Sequence, residues 1–254
     1  MSDVWLLARY QIEEALAKKL FYIVVLMGLV LVGGVFFANT FELGHQGRVV
    51  RDASLSVIGV FSLALTLLLT LQAIPREIEN RTIYPILARP LSRFQYLLGK
   101  ELGIALVVGA SLSLFYGLLL LLLFLKEGSF PVPLLGNALC NWLECVVISS
   151  FSFLLSVLVS PPLNFCFTIV AYFLGHFPVV YVNYILGRIP PVSGFVVETA
   201  KFALPQLEYL DIKTTLLYGD PISPLYFVEI TLYALLYSGV LLYLAVLFFE
   251  RKDL

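Results

Sequence analysis

The sequence predicts an all-α membrane protein with six transmembrane helices. Of its 254 residues, 60% are hydrophobic and only 13% are charged, whereas a soluble domain is about 45–50% apolar and about 25% charged. Because one water-soluble core does not absorb that much apolar surface, the lipid bilayer is the expected solvent. The apolar residues gather in runs of about 20, the length that a helix needs to cross the hydrocarbon. We therefore expect one membrane domain over residues 1–254.

Six apolar segments have the length of a spanning helix. Strands of a membrane barrel would be about 10 residues long and alternate in polarity. Backbone groups in lipid must be satisfied within the segment, which a helix achieves. Only Ser160, Pro161 and Pro162 separate the fourth segment from the fifth, so these two should form a helical hairpin. The predicted spans are about 20–38, 53–74, 102–125, 134–159, 163–182 and 225–249.

The segment before the first span is predicted to be an interfacial helix. Over residues 3–19, an apolar set of Trp5, Ala8, Ile12 and Leu16 lies near one helical face. Such a helix would lie in the cytoplasmic interface before the chain turns into the membrane. An ordinary soluble extension is the alternative. No small-x-small cleavage site follows the first apolar run, so we expect that run to stay in the protein.

The distribution of positive charge orients the six spans. An even number of spans puts both termini on one side of the membrane. With the termini inside, the inner segments carry ten Lys and Arg residues and the outer segments six, although the outer segments are longer in total. The positive-inside rule therefore favours an N-in, C-in topology. The outer loop 183–224 contains prolines and an apolar group, which predicts one or two short helices on the outer membrane surface.

A few polar residues lie inside the predicted spans. Asn137, Asn141 and Glu144 are four and three residues apart, so they share one face of the fourth helix. Ionisable groups at this depth tend to face an interior or a wet cavity. These residues, together with His176 in the fifth span, either line a polar path or join helices by hydrogen bonds. A single histidine without neighbouring ligands is a poor metal site, so we predict no metal.

Short polar motifs follow one another between the second and third spans. They are an acidic residue, a Thr-hydrophobic pair, an Arg-Pro pair, a further Arg and a Gly-Lys pair. In this order they resemble the corresponding region of ABC-2-type ABC transporter permeases. That family often has Gly before the Thr, where this chain has Arg81. The matching residues are Glu77, Thr82-Ile83, Arg89-Pro90, Arg93 and Gly99-Lys100.

Three further stretches are similar to the same family. They are 156–176, which holds the proline-linked hairpin, 204–219 in the outer loop, and the C-terminal sequence FFERKDL. The resemblance implies a transmembrane permease subunit of an ATP-driven transporter, most often an exporter, in a prokaryotic plasma (inner) membrane. It also implies a second permease subunit, identical or paired, and separate ATP-binding subunits that hold ATP and Mg²⁺.

The sequence is consistent with ATP binding by a separate subunit. It contains no G-x-x-x-x-G-K-[ST] phosphate loop, so we expect this chain to be no enzyme and to bind no cofactor. Its net charge of −1 gives no general attraction to nucleic acid, and we expect no nucleic-acid partner.

The polar linker, residues 75–101, is the expected contact with the ATP-binding subunit. It holds five of the sixteen Lys and Arg residues, interleaved with acidic ones. As a cytoplasmic coupling helix it would pass movement of the partner into the second and third spans. The alternative is a loop whose basic residues contact anionic lipid headgroups. The predicted contact residues are Glu77, Glu79, Arg81, Thr82, Ile83, Leu87, Arg89, Pro90 and Arg93.

Two other functional classes remain as alternatives. A secondary transporter or channel usually shows repeat symmetry, broken helices and several charges at mid-membrane, whereas here Glu144 is the one carboxylate deep in a predicted span. An intramembrane hydrolase needs paired acidic groups and histidines at membrane depth, and this chain has two histidines. No cluster of residues selects a cargo.

Overall fold

The computed structural model describes residues 2–38, 47–71, 73–75, 92–128, 133–177, 204–218 and 222–250. These ranges contain helices and no strand, which confirms the predicted all-α class. The helices in chain order are α1 (Ser2–Ala17), α2 (Lys19–Ala38), α3 (Gly47–Thr70), α4 (Arg93–Glu127), α5 (Pro133–Leu158), α6 (Pro161–Gly175), the 3-10 helix Leu207–Leu210, α7 (Lys213–Tyr218) and α8 (Pro224–Glu250).

Within these ranges, α3, α4, α5 and α8 are long and apolar enough to cross a membrane. Helices α1 and α2 meet at an angle of 70° and add a fifth span if the pair is counted as one. Helix α6 has 15 residues, a length of about 22 Å, which is less than the ~30 Å of hydrocarbon. The chain is therefore a multi-pass membrane protein, whereas six spans and the N-in, C-in orientation stay predictions. Residues 178–182 of the fifth predicted span lie outside the described ranges.

Helix α5 is the central helix of the bundle. Within its apolar stretch 67% of the residues are buried, against 39% to 50% in the other three long helices. It contacts α3, α4, α6 and α8. The predicted hairpin is present, because α5 ends at Leu158 and α6 begins at Pro161. Polar side chains on α5 consequently have several neighbouring helices from which to draw hydrogen-bond partners.

Helix α4 begins earlier than its predicted span, which started at residue 102. The Ser92 side chain accepts a hydrogen bond from the Gln95 backbone N at 3.2 Å, and the Gln95 side chain accepts one from the Ser92 N at 3.1 Å. This reciprocal pair is a capping box, which marks a helix start. The helix therefore begins inside the polar linker, and it ends at Glu127, just before Gly128, whose φ of 67° is left-handed.

Helix α1 packs against α4 through a face that differs from the predicted one. Leu7, Ala8 and Gln11 are buried, whereas Trp5 is 63% and Leu16 is 44% exposed. The helix is present as predicted, but its predicted apolar face is divided between α4 and the exterior. Periodicity showed an apolar stripe without showing which part of it α4 would cover.

Two glycines of α4 allow this close approach. A Cβ atom at Gly99 would lie 2.7 Å from the Leu7 Cβ. One at Gly103 would lie 2.6 Å from the Gln11 Cβ and 2.8 Å from the Ala8 carbonyl oxygen. All three distances are shorter than normal van der Waals contact, so any larger residue must push the two helices apart.

Replacing Gly103 with leucine should destabilise the protein. We expect the free energy of unfolding to fall by about 1–3 kcal/mol because of overpacking, measured as a lower Tm of the detergent-purified chain. The matched control is Gly117→Leu on the same helix, where an added Cβ meets nothing within 4 Å. Equal losses of Tm in the two variants would show that α1 is not held by this contact.

Short helices are present in the predicted outer loop, and they pack into the bundle. Leu207, Leu210 and Ile212 are buried in a cluster with side chains of α5 and α8. The Tyr226 hydroxyl donates to the Tyr209 carbonyl at 2.7 Å, which fastens this segment to α8. Leu207, Leu210 and Ile212 are thus covered by protein, which the expected position on the membrane surface does not require. Residues 183–203 of the loop lie outside the described ranges.

Candidate functional site: a polar seam along the central helix

Polar side chains line α5 from its start to its last turns, and we call them the polar seam. The seam joins α5 to α3, α4 and α6. Three of the four intramembrane residues singled out from the sequence belong to it, and the fourth, His176, contacts it. On α5 the seam consists of Asn137, Asn141, Glu144, Ser149, Ser150 and Ser152.

The two asparagines each bond to a different neighbouring helix. Asn137 Nδ2 donates to the Tyr116 hydroxyl of α4 at 2.7 Å. The Ser62 hydroxyl of α3 donates to Asn141 Oδ1 at 3.0 Å. Both asparagines are buried. Since a buried polar group without a partner is costly, these bonds tie α5 to α3 and α4.

Glu144 and His176 lie in contact between α5 and the end of α6. His176 Nε2 is 3.3 Å from Glu144 Oε1, and the two side chains are 25% and 13% exposed. His176 Nδ1 is 2.9 Å from the Tyr172 carbonyl oxygen. A carbonyl only accepts, so Nδ1 carries a proton and Nε2 is left to face the carboxyl group. Sequence spacing does not indicate this pairing, because Glu144 lies on α5 and His176 directly follows α6.

Asn164 also joins α6 to α5, and Thr168 supports Asn164 from within α6; neither residue was predicted from the sequence. Asn164 Nδ2 donates to the Ser152 carbonyl at 3.0 Å, and the Thr168 hydroxyl donates to Asn164 Oδ1 at 3.0 Å. Asn164 and Thr168 are fully buried. A polar residue inside an apolar run indicates a buried polar contact, but it does not indicate which neighbouring helix the residue faces.

Glu101 is a second carboxyl group inside the bundle. It is 4% exposed, and its Oε1 accepts from the Ser150 hydroxyl at 3.1 Å and from the Ser149 hydroxyl. The predicted third span begins at residue 102, so the sequence prediction places Glu101 in the polar linker. It lies inside because α4 begins at Arg93 and carries residue 101 past α5.

The predicted contact residues of the polar linker mostly lie outside the described ranges. This holds for Glu77, Glu79, Arg81, Thr82, Ile83, Leu87, Arg89 and Pro90. Arg93 is the first residue of α4. Its guanidinium donates to the Phe249 carbonyl and lies 5.3 Å from the centroid of the Phe249 ring. Its contact with a partner subunit stays a prediction.

A groove of about 410 Å³ lies between α4 and α5. Most of its lining residues are apolar, among them Gly109, Ala138 and Trp142. No lining residue belongs to the polar seam. Within the described residues, no group of three or more His, Cys, Asp or Glu is arranged to hold a metal ion.

Two curated proteins are similar to this chain in sequence. It is 29% identical over 169 residues to the "Probable ABC transporter permease protein NosY" of Stutzerimonas stutzeri, a match that covers 61% of this chain and 60% of that protein. It is 34% identical over 121 residues to the protein of the same name from Pseudomonas aeruginosa, covering 46% of this chain and 44% of that protein. The chain resembles ABC transporter permeases.

This similarity supports a membrane-spanning permease of the ABC transporter type, in agreement with the several apolar helices. The aligned region spans 60% of the length of one relative and 44% of the other. No family model matches the chain, so membership of the ABC-2 subtype stays a prediction.

The Glu144–His176 contact should contribute measurably to stability. In a double-mutant cycle with Glu144→Gln and His176→Gln, we expect a coupling energy of about 1–3 kcal/mol, because the two groups are in contact and largely shielded from water. The free energies come from denaturant unfolding of the purified chain. The control is the exposed pair Arg9–Glu13, whose side chains are 74% and 62% exposed. For this pair we expect a coupling energy of about 0.5 kcal/mol or less. Additive effects of the first two substitutions would contradict the coupling.

Proposed function

We propose that this chain is the transmembrane permease subunit of an ATP-driven transporter of the ABC-2 type. The similarity to two proteins named as ABC transporter permeases carries the proposal. The multi-pass helical fold and the ordered motifs from Glu77 to Lys100 support it. Because the sequence has no phosphate loop, ATP and Mg²⁺ belong to a separate ATP-binding subunit.

The working unit in this proposal is an assembly in the bacterial inner membrane. Two permease subunits, identical or paired, work with two ATP-binding subunits and export a cargo. Both similar proteins come from bacteria, which supports the location. The excess of Lys and Arg in the segments 1–19, 75–101 and 250–254 supports an inward-facing linker and C-terminus.

The ATP-binding subunit contacts the polar linker in this proposal. The linker connects α3 to α4, and α4 is one continuous helix of 35 residues, or about 52 Å. A displacement at the start of α4 would therefore be carried along its whole length. The polar seam takes the role of joining α5 to its neighbours. Its hydrogen bonds to Tyr116 of α4, Ser62 of α3 and Asn164 of α6 support a role in joining helices more than a role in lining the cargo path.

Charge reversal in the linker tests the contact with the ATP-binding subunit. We expect Glu77→Arg combined with Arg89→Glu to reduce the amount of co-purified ATP-binding subunit at least about tenfold, because like charges would then face each other at the interface. The control is Arg9→Glu on the exposed face of α1. If co-purification and ATPase activity both survive the linker variant, the linker is not the contact.

The orientation is tested by labelling single introduced thiols on intact cells. In a background without Cys140, Cys145 and Cys166, we expect an impermeant reagent to label Ser223→Cys, which is exposed, and not Arg89→Cys. Both should react once the cells are opened. Labelling of position 89 on intact cells would overturn the orientation.

A further inference from the structure

The first turns of α4 hold the C-terminal ends of two other long helices. Three side chains on one face of α4 make these contacts, spaced three and four residues apart. We call them the α4 clamp, and they are Arg93, Tyr96 and Lys100.

One side of the α4 clamp holds the end of α8. The Arg93 guanidinium donates to the Phe249 carbonyl and lies 5.3 Å from the centroid of the Phe249 ring. The Tyr96 ring stacks on the same Phe249 ring, with centroids 6.3 Å apart and planes 11° apart. Tyr96 and Phe249 are fully buried. Both the backbone and the side chain at the end of α8 are therefore held by α4.

The other side of the α4 clamp holds the end of α3. Lys100 is 2% exposed, and its Nζ donates to the Ala73 carbonyl at 2.5 Å. Ala73 lies in the turn that follows α3, where its N donates to the Thr70 carbonyl at 3.1 Å. The Lys100 Nζ also lies 5.2 Å from the Tyr96 ring centroid. Tyr96 therefore contacts both Lys100 and Phe249.

Helix ends are the natural partners for these cations. The last carbonyls of a helix have no donor within the helix, and they carry a partial negative charge. A cation placed there satisfies a carbonyl and interacts favourably with the helix dipole. A lysine buried at the edge of a membrane is costly unless it is paired. The Ala73 carbonyl in the turn after α3 is one of the partners that lower the cost of burying Lys100.

We propose that Arg93 and Lys100 are positioning residues that make α3, α4 and α8 move as one unit when the polar linker is displaced. The proposal rests on the proposed function for the source of that displacement, the ATP-binding subunit. The linker leaves the end of α3 and enters α4 at Arg93, so both of its attachments lie in or beside the α4 clamp. The neighbouring Glu101 bonds to α5, which adds the central helix to the same unit.

The test uses neutral and charge-conserving variants in the assembled transporter, reconstituted in lipid nanodiscs. We expect Lys100→Met to retain the co-purified ATP-binding subunit and the KM for ATP within about twofold, and to lower the kcat of ATP hydrolysis at least about fivefold. Because Arg93 is itself a predicted contact residue, Arg93→Gln is compared only by the kcat per bound ATP-binding subunit, which should fall by a similar factor. Arg93→Lys and Lys100→Arg should recover at least about half of the lost kcat, since the cation is retained. Arg9→Gln, at an exposed cation, is the control.

A second measurement uses the purified chain alone and is independent of any partner. We expect Arg93→Gln to speed hydrogen exchange at the end of α8, and Lys100→Met at the end of α3, each at least about fivefold because a local opening becomes easier. Arg9→Gln should change neither end. This comparison separates loosening of two helix ends from general unfolding, which would speed exchange throughout the chain.

Three results would overturn the inference. They are unchanged exchange at both helix ends, an unchanged kcat in the neutral variants, and charge-conserving variants as impaired as the neutral ones. If no ATP-binding subunit co-purifies with the wild-type chain, the proposed function fails instead. The exchange measurement then decides by itself whether α4 fixes the ends of α3 and α8.

Discussion

The arrangement of this bundle depends on one constraint, which is that polar groups away from water must find partners within the protein. Among the described helices, α5 carries the largest share of the buried polar side chains, and it contacts α3, α4 and α6, which supply hydrogen-bond partners. Its asparagines bond to α3 and α4, and its serines bond to Glu101. Helices in lipid gain little from apolar association, so such bonds and close packing decide which helices are neighbours.

Two kinds of joint hold α4 to its surroundings. Against α1 the joint is steric, because Gly99 and Gly103 let the backbones approach to distances that a side chain would prevent. Against α3 and α8 it is electrostatic, because Lys100 binds the Ala73 carbonyl in the turn after α3 and Arg93 binds the Phe249 carbonyl at the end of α8. The contact with α1 tolerates no residue larger than glycine at positions 99 and 103. The contacts with α3 and α8 require the Ala73 and Phe249 carbonyls to stay close to Lys100 and Arg93.

These joints give the proposed permease a route for movement. In that proposal the ATP-binding subunit displaces the polar linker, and α4 carries the displacement because it is continuous from Arg93 to Glu127. The polar seam then links α4 to α5, and α5 to α6, where Glu144 meets His176. Each of these bonds contributes modestly by itself, and together they hold α5 to α3, α4 and α6.

The sequence by itself determined the helical class, the approximate positions of the long apolar helices, the proline hairpin and the resemblance to permeases. These follow from run length, proline placement and motif order, which are local properties. Only the tertiary structure decided which residues meet. Spacing put Asn137, Asn141 and Glu144 on one face, but it did not say that His176 would face Glu144. Nor did it show that Glu101 would enter the bundle, or which face of α1 would be covered. Periodicity fixes the face on which a residue lies, whereas the neighbour opposite that face depends on how distant helices pack.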